Sequence, residues 1–572
     1  MISKVFKLKN AEAKPQVELP AVLTVAGSDS SGGAGIEADL KTISAFGVYG
    51  LTCITALTAQ NTTGVRTFDK TSQQLIHQIL EADLEDMLFG YPKTEAPLKV
   101  IKTGMLTKEA IIELIDYIPK LKDYGVKIIL DPVMISTSGS KLSDDDGMKL
   151  CVEDLMSEAY LITPNFPEAE ALLKLTNTSN TKIPEIKSLD DFAQFVVTLQ
   201  KSLKCKNLLV KGGHFPFTND NIPTTDLNSS SDLKIVDVLY ESEDDKITFF
   251  ESQYIRSTDN HGSGCTLASA ISANIAKGLP LDEAIAISVD YIHRGMVSLK
   301  KKLGFGNGPL NHTAAPAISV GSALIGSDHE IQTILKESGS FYEYLINHPK
   351  IKDNWQTYVT HPFVKALAEN NLPFHKFLYF LKQDYHYLVN YAQVQALAGS
   401  TAPTYQQIHA QATIIGEIVE EIERHKQKLS KSYNIDYERD MDFDIDLKPG
   451  PACVAYCDYL LKVGRNDNFL GIKIALAPCL HGYAVAGEFG AKIRKNVTGL
   501  GVVTEEQSKV YESWLNDYCS DWFTNAHIEG KKSLQSLVQT MEVNEKRIEE
   551  LVDMFNEVTL LEIAFWDECL NL

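Results

Sequence analysis

Two hydrophobic periods run along this chain, and the change between them divides it. From residue 21 to about 300, short apolar runs alternate with helical stretches. The runs are "AVLTVAG", "LTCITALTAQ", "LKVIKTG", "VKIILDPV", "AYLITPN" and "NLLVKGG", each bounded by Gly, Pro or Asn. Between them lie segments such as "SQQLIHQILEADLEDML", whose apolar residues recur every three or four positions. That alternation predicts βα units on a mostly parallel central sheet with helices on both faces. "KIVDVLY" and "KITFF", joined by "ESEDD", read as a late antiparallel pair. From about 338 onward only the helical period remains, which predicts an all-α bundle. The expected organisation is a loose tail (1–20), an α/β domain (21–312), a Gly-, Pro-, Ala- and Ser-rich linker (313–337) and a helical domain (338–572). The polar stretch 218–234 reads as a mobile surface insertion, and "YERDMDFDIDLKPG" as a solvated acidic loop.

The 572 residues carry a formal net charge of -21, which argues against nucleic acid or an anionic membrane as the main partner. No apolar run approaches the ~20 residues of a membrane span, and the lysine-bearing N-terminus has no apolar core of a secretory signal. Nine cysteines are scattered without a CxxC or a zinc-like spacing, so a reducing, cytoplasmic setting is expected. Cys453 and Cys457, four apart on a helix, read as two small core residues.

In a parallel sheet the ligand crevice lies beyond the C-terminal strand ends. Those ends here are Gly27–Ser28–Asp29, Gln60–Asn61, Gly104–Met105, Asp131–Pro132–Val133, Thr163–Pro164–Asn165 and Lys211–Gly212–Gly213. Turns alone do not explain Gln, Asp, Asn and Lys at one edge, so an active site is expected there. Two glycine-rich helix starts flank it, "AGSDSSGGAG" and "DNHGSGCT". In the second, the amides around Gly262, Gly264 and Cys265 converge at a positive helix end, an anion-binding arrangement. Asp131, Glu168 and Lys211 supply carboxylates for a hydrated Mg²⁺ and a cation for phosphate. No Walker A sequence is present.

In the helical half, Cys479 follows Pro478 inside an apolar stretch, where a proline can open a helix. Asp384 and Tyr387 share one helix face, as do Glu562 and Phe565. Both carboxylates lie in apolar helices, where an unpaired charge is costly. Tyr456, Tyr483 and Tyr518 add aromatic walls with hydroxyl tips.

The first half, over about 20–312, resembles the hydroxymethylpyrimidine kinase and hydroxymethylpyrimidine phosphate kinase family of thiamin synthesis, in the ribokinase-like superfamily. "AGSDSSGGAGIEADLKT", "TALTAQNT", "IKTGML", "LDPVM", "TPNFPEAEAL", "VKGGH" and "HGSGCTLASAIS" carry the resemblance in family order. It implies that Gly27, Asp39, Gln60, Met105 and Val133 line the substrate, with Gln60 bonded to the aminopyrimidine edge. It implies ATP as phosphoryl donor, Lys211 on the nucleotide phosphates, and Asp131, Asn165 and Glu168 around Mg²⁺, Asp131 and Glu168 through water. Gly262, Gly264 and Cys265 would form the anion hole. Many relatives of this fold place an Asp base where Cys265 stands. A helix N-terminus lowers a thiol pKa, so Cys265 is read either as base or as a wall of the hole.

The second half, over about 338–572, resembles the thiaminase II (TenA) family, an all-α, haem-oxygenase-like bundle. "FVKALAENNLPFHKFLYFLKQDYHYLVNYA", "LAPCLHGY", "YESWLNDYCSDWF" and "LEIAFW" match in order, with "ENNLP" where "DGTLP" is usual. The resemblance implies Cys479 as nucleophile and Glu562 as acid/base. Asp384 would bind the pyrimidine edge, with Tyr387, Tyr456, Tyr483, Tyr518 and Phe565 stacking or hydrogen bonding. A thiol beside positioned carboxylates suits covalent catalysis at a heteroaromatic carbon. Together the halves resemble fungal fusion enzymes of thiamin salvage. They imply release of hydroxymethylpyrimidine from thiamin or a degraded aminopyrimidine, its double phosphorylation, small-molecule partners only, and a homo-oligomer. A pyridoxine-type vitamin kinase and a pyrimidine- or thiamin-binding regulator are the alternatives.

Overall fold

The computed structural model describes residues 19–133, 145–176, 185–213, 215–224, 226, 233–257, 259–324, 328–433, 448–541 and 543–572. The tail over 1–18 and the acidic loop over 437–447 lie outside them, as does much of the insertion at 218–234. The chain forms two compact units, divided between Ala317 and Ile318.

The first unit is built on one nine-stranded sheet in the order β3-β2-β1-β4-β5-β6-β7-β8-β9. Its strands are β1 (Ala21–Ser28), β2 (Tyr49–Asn61), β3 (Gly64–Lys70), β4 (Leu98–Thr103), β5 (Lys127–Leu130), β6 (Leu161–Ile162), β7 (Asn207–Val210), β8 (Lys234–Glu241) and β9 (Lys246–Gln253). The six from β2 to β7 are parallel, and their Val, Ile and Leu runs are buried because helices cover both faces. Leu23, Val25 and Ile101 pack with helices Gln73–Leu84 and Lys108–Asp123. Thr24 and Lys102 point to the opposite face, toward helix Gly35–Ala45. The expected antiparallel pair is β8–β9.

The strand β3 has no counterpart in the sequence reading. It pairs antiparallel with β2 across a turn whose Asn61 Oδ1 accepts from the Thr63 amide at 2.9 Å. Its sequence, "GVRTFDK", is an exposed, charged edge, which protects the sheet from further pairing but erases the hydrophobic alternation that marks a strand.

The second unit is helical throughout its described residues. Its core gathers buried apolar side chains from every long helix except Tyr405–Tyr433. Helix Phe469–Arg494 lies in the middle, with sixteen buried residues. That helix is long and apolar enough to cross a membrane by length and composition, and most of its apolar window is buried within this core. The second part of the stretch read as a linker is ordered against this unit. Ser319 caps a short turn, Val320–Ala323. Glu550 accepts from the Gly321 amide and the Ser319 hydroxyl, both at 2.8 Å, and Asn544 donates to the Gly321 and Leu324 carbonyls. A Cβ on Gly321 would stand 2.6 Å from Arg547 Cα, so the small residues here permit docking.

Gly321→Leu is expected to unseat this segment and lower the second unit's stability by about 1–3 kcal/mol, the cost of overpacking a filled site. Calorimetry of the full chain reads it as a lower midpoint for that unit's transition.

Candidate active sites

The C-terminal strand ends of the first unit open on a cavity of about 420 Å³. Gly27, Gln60, Met105, Val133, Asp131, Asn165, Glu168, Lys211, Gly262, Gly264 and Cys265 all line it. A residue bridge between Asn165 and Lys211 extends the β6–β7 register to this edge. Lys211 Nζ donates to Asp131 Oδ1 at 2.9 Å. Burial works against its charge, but Asp131 and then Glu168 outweigh that and hold its pKa above the ordinary value. Asn165 caps helix Phe166–Thr176, accepting from the Glu168 amide at 2.9 Å while its own amide donates to Glu168 Oε2 at 2.8 Å. The reciprocal cap fixes this carboxylate on the cavity that Asp131 also lines.

The two glycine-rich loops touch each other. A Cβ on Gly262 would run into the Gly33 carbonyl, and Gly262 adopts φ +79°, so no other residue fits there without strain. Asp29 binds both loops. Its carboxylate accepts from the Ser31, Gly33 and Ala34 amides at 2.9, 3.2 and 2.8 Å, and meets His261 Nε2 at 2.9 Å. Burial alone would raise its pKa, but hydrogen bonds from His261 and Ser31 bring it down to about 2. Neither Asp29 nor His261 was assigned a role from sequence, although both stand in the quoted loops.

One expectation needs correction. Asp39 does not line the cavity. It is fully buried behind the first loop, where its carboxylate takes Lys102 Nζ at 2.9 Å, Thr24 Oγ1 at 2.6 Å and Ser269 Oγ at 2.7 Å. A carboxylate on an apolar helix face finds an internal cation here, and Lys102 sits mid-strand with nothing in sequence to mark it. Cys265, read from sequence either as base or as a wall of the hole, lines the cavity. Burial first, then Asp39 and Asp131, outweigh Lys102 and push its pKa up to about 11.

A second cavity of about 230 Å³ adjoins the first and shares Asn165, Lys211, Asn260, Ser263 and Gly264 with it. Its far walls are apolar: Ile255, Leu267, Val289, Ile292 and Met296. Asp237, from β8, lines it too; burial lifts its carboxyl to about 6 although the Gly212 amide donates to it at 2.8 Å.

In the second unit the named residues also converge. Glu562 accepts from the Tyr456 hydroxyl at 2.7 Å, and the Cys479 thiol lies within hydrogen-bonding reach of the same carboxyl and of Tyr387. The Tyr387 and Tyr456 hydroxyls are 3.3 Å apart with their rings at 4.8 Å. Tyr483 accepts from Trp566 Nε1 at 3.2 Å and packs on Tyr518 at 5.1 Å; Phe565 lies 6.3 Å from Tyr387. Tyr358 faces Glu562 without closing a hydrogen bond of standard geometry. Burial raises the Glu562 carboxyl to about 8 against the hydrogen bond from Tyr456 and the nearby Tyr358 hydroxyl and Cys479 thiol. Burial, then Glu421 and Glu562, raise Asp384 well above the carboxylate range. The Cys479 thiol is raised by burial and then by Glu562. Tyr358, Tyr391 and Glu421 belong to this cluster and were not read from sequence. Tyr391 stands one turn after Tyr387 on the same face, a spacing that could have found it. Among the described residues no group of three or more His, Cys, Asp or Glu is placed to hold a metal ion.

The phosphomethylpyrimidine kinase family matches residues 29–311, and the TENA/THI-4/PQQC family matches residues 348–572. The hydroxymethylpyrimidine/phosphomethylpyrimidine kinase THI20 of Saccharomyces cerevisiae is 37% identical over 568 residues, 97% of this chain and 96% of that protein. The chain belongs to the family of pyrimidine kinases fused to a TENA-type domain. The first half of this fused kinase is also similar to the hydroxymethylpyrimidine/phosphomethylpyrimidine kinase of Bacillus subtilis, at 36% identity over 51% of this chain and 94% of that one. A crystal structure of phosphomethylpyrimidine kinase from Clostridium difficile 630 shares 35% identity over 48% of this chain and 98% of that one, with a TM-score of 0.36.

Asp39→Ala is expected to destabilise the first unit by about 3–5 kcal/mol, since it strands the Lys102 ammonium in the interior. Asp39→Leu combined with Lys102→Met should recover most of that in urea unfolding. For Glu562, the folded chain holds the proton more tightly than the unfolded chain does. Its contribution is complete below about 4.5 and is lost as pH rises through about 8. Glu562→Gln should therefore flatten the fall in the second unit's melting temperature between pH 5 and 9.

Proposed function

We propose that the first unit transfers the terminal phosphoryl group of ATP to hydroxymethylpyrimidine and then to its monophosphate. We propose that the second unit releases that pyrimidine from thiamin or a degraded aminopyrimidine. The observation that carries the first reading is the meeting of a cation, two carboxylates and an amide nest on one cavity with Gly27, Gln60, Met105 and Val133. The adjoining cavity, polar at the shared edge and apolar beyond, suits a nucleoside held by its phosphates at Lys211.

Gln60 would read the pyrimidine edge, and Met105 and Val133 would flank the ring. Lys211 would meet the phosphates. The amides of Gly262 to Cys265, at the start of helix Ser263–Ala276, would take the charge that develops on the transferred group. The donor set fits a hydrated Mg²⁺: Asp131 and Glu168 are hard carboxylates on one cavity, with Asn165 capping Glu168, too few to cage a bare ion. When bound, such an ion would neutralise phosphate charge. Cys265, held as a thiol, would wall the anion hole. The alcohol proton can then leave late, because phosphoryl transfer through a loose transition state asks little of a base.

In the second unit Glu562, protonated at neutral pH, would hand its proton to a ring nitrogen and take the Cys479 thiol proton as sulfur adds to the ring; the substituent on the exocyclic methylene carbon would then leave with its bonding pair, water would add to that carbon, and the sulfur would be expelled with its proton returned. Asp384 would hold the amino-pyrimidine edge, with Tyr387, Tyr456, Tyr483, Tyr518 and Phe565 around the ring. All nine cysteines are free, which supports a reducing, cytoplasmic setting.

Incubation of the full chain with thiamin, ATP and Mg²⁺ should yield the pyrimidine mono- and diphosphates. Lys211→Ala is expected to cut phosphorylation roughly 10²–10³-fold, as loss of one charge-stabilising donor does. Gly264→Asp should abolish it, since an added Cβ stands 3.1 Å from Lys211 Nζ and a carboxylate there would fill the hole. Both should leave pyrimidine release intact. Cys479→Ser should do the reverse; unchanged release in that variant would remove the nucleophile from the scheme.

A further inference from the structure

The cavity that adjoins the kinase site runs outward across the edge of the sheet. Asn165 and Lys211, at the ends of β6 and β7, line both cavities. Beyond them Ile235 and Asp237 of β8, then Ser252 and Gln253 of β9, line the second cavity alone. Another wall comes from helix Leu281–Val297, whose Val289, Ile292, His293 and Met296 fall three and four apart on one face. A ligand that starts at Lys211 therefore passes β8 on its way into the apolar slot.

Asp237 is the one carboxylate among the described residues that line this second cavity. Its place follows from the strand register. Val238 pairs antiparallel with Val210, so Asp237 stands across from Lys211. Val210, Val236 and Val238 turn into the core on the other side of the sheet, which leaves Lys211 and Asp237 on the cavity side. Side chains facing each other across such a pair are roughly 5 Å apart at Cβ. Lys211 Nζ nevertheless turns to Asp131 Oδ1, at 2.9 Å. Asp237 Oδ1 accepts from the Gly212 amide at 2.8 Å, and among the described residues no group donates to Oδ2. The residue is only 7% exposed. A carboxylate has room for about four hydrogen bonds. One that is buried with a single bond needs a donor from whatever fills the cavity.

The order of groups along the wall identifies that donor, given the reading of this cavity as the nucleotide site. With the phosphates at Lys211 and the base in the apolar slot, the sugar lies between them, beside β8. Phosphate oxygens bring only lone pairs and negative charge to a carboxylate. An amino group on the base lies at the end remote from the phosphates, whereas Asp237 is the cross-strand neighbour of Lys211. Ribose hydroxyls are the donors that fall at this place. We propose that Asp237 accepts a ribose hydroxyl of the phosphoryl donor, so that the first unit takes ribonucleotides in preference to deoxyribonucleotides.

The test measures kcat/KM of the full chain for ATP, 2′-deoxyATP and 3′-deoxyATP, with hydroxymethylpyrimidine as acceptor. At about pH 8 a carboxyl held at about 6 is ionised and can only accept. Wild-type protein should prefer ATP to at least one deoxynucleotide by roughly 10–100-fold, the worth of a hydrogen bond to a charged group. Asp237→Asn keeps an acceptor for the Gly212 amide but offers the hydroxyl a neutral partner, so the preference should fall several-fold. Asp237→Ala should abolish it. The change should lie in KM for ATP and spare KM for the pyrimidine. Loss of the Gly212 contact alone would slow all three nucleotides alike and leave their ratios where they were. A wild-type preference of about one, or a preference unmoved in both variants, overturns the proposal. Calorimetric titration with ADP and its two deoxy forms reads the same ratios without turnover. A chain that binds these with the expected preference but does not phosphorylate hydroxymethylpyrimidine defeats the functional reading and leaves the role of Asp237 standing.

Discussion

The buried carboxylate of Asp29 organises the first unit's site. A loop of glycines has little reason to keep one shape, since each residue loses much backbone freedom on folding. Asp29 supplies that reason by gathering three backbone amides of its own loop and an imidazole from a loop more than 200 residues later. The start of helix Ser263–Ala276 inherits its place from this contact, because Gly262 follows His261 and lies against Gly33. The two glycine-rich loops that line this cavity are thus held by one group.

The second unit works by a different physical device. Burial raises the carboxyls of Asp384 and Glu562 above the ordinary range, and Glu421 and Glu562 raise Asp384 further. Lys473, half-buried on the same helix as Cys479, is lowered by desolvation to about 8, while it bonds to Gln395 and Gln411. Glu562, raised to about 8, therefore holds its proton at neutral pH. The first unit instead pairs its charges: Lys211 with Asp131, Lys102 with Asp39.

Much of this was legible in the sequence because it is local. Strand ends, glycine-rich turns and helix faces place Gln60, Asp131, Lys211, Gly264, Cys479 and Glu562 by short-range rules. What stayed hidden depends on distant partners. Asp39 looks like a substrate ligand until Lys102 is brought beneath it. A helix start argues for a reactive thiol at Cys265, but the depth of the site raises its pKa instead. Glu421 approaches Asp384 only through the packing of two long helices. The edge strand β3 hid because its side chains answer to solvent, and the ordered half of the linker hid because small residues serve docking as well as flexibility.

The docking of residues 319–324 on Asn544 and Glu550 also bears on how the chain is made. The Ser319–Glu550 contact spans 231 positions, so the second unit's first segment waits for nearly its last helix before it can settle. At synthesis rates of roughly 5–20 residues per second that interval lasts roughly 10–50 seconds, and N-terminal domains fold first. The kinase unit, whose division ends at Ala317, has that interval to complete its own sheet while the helices that follow are still without their closing partner.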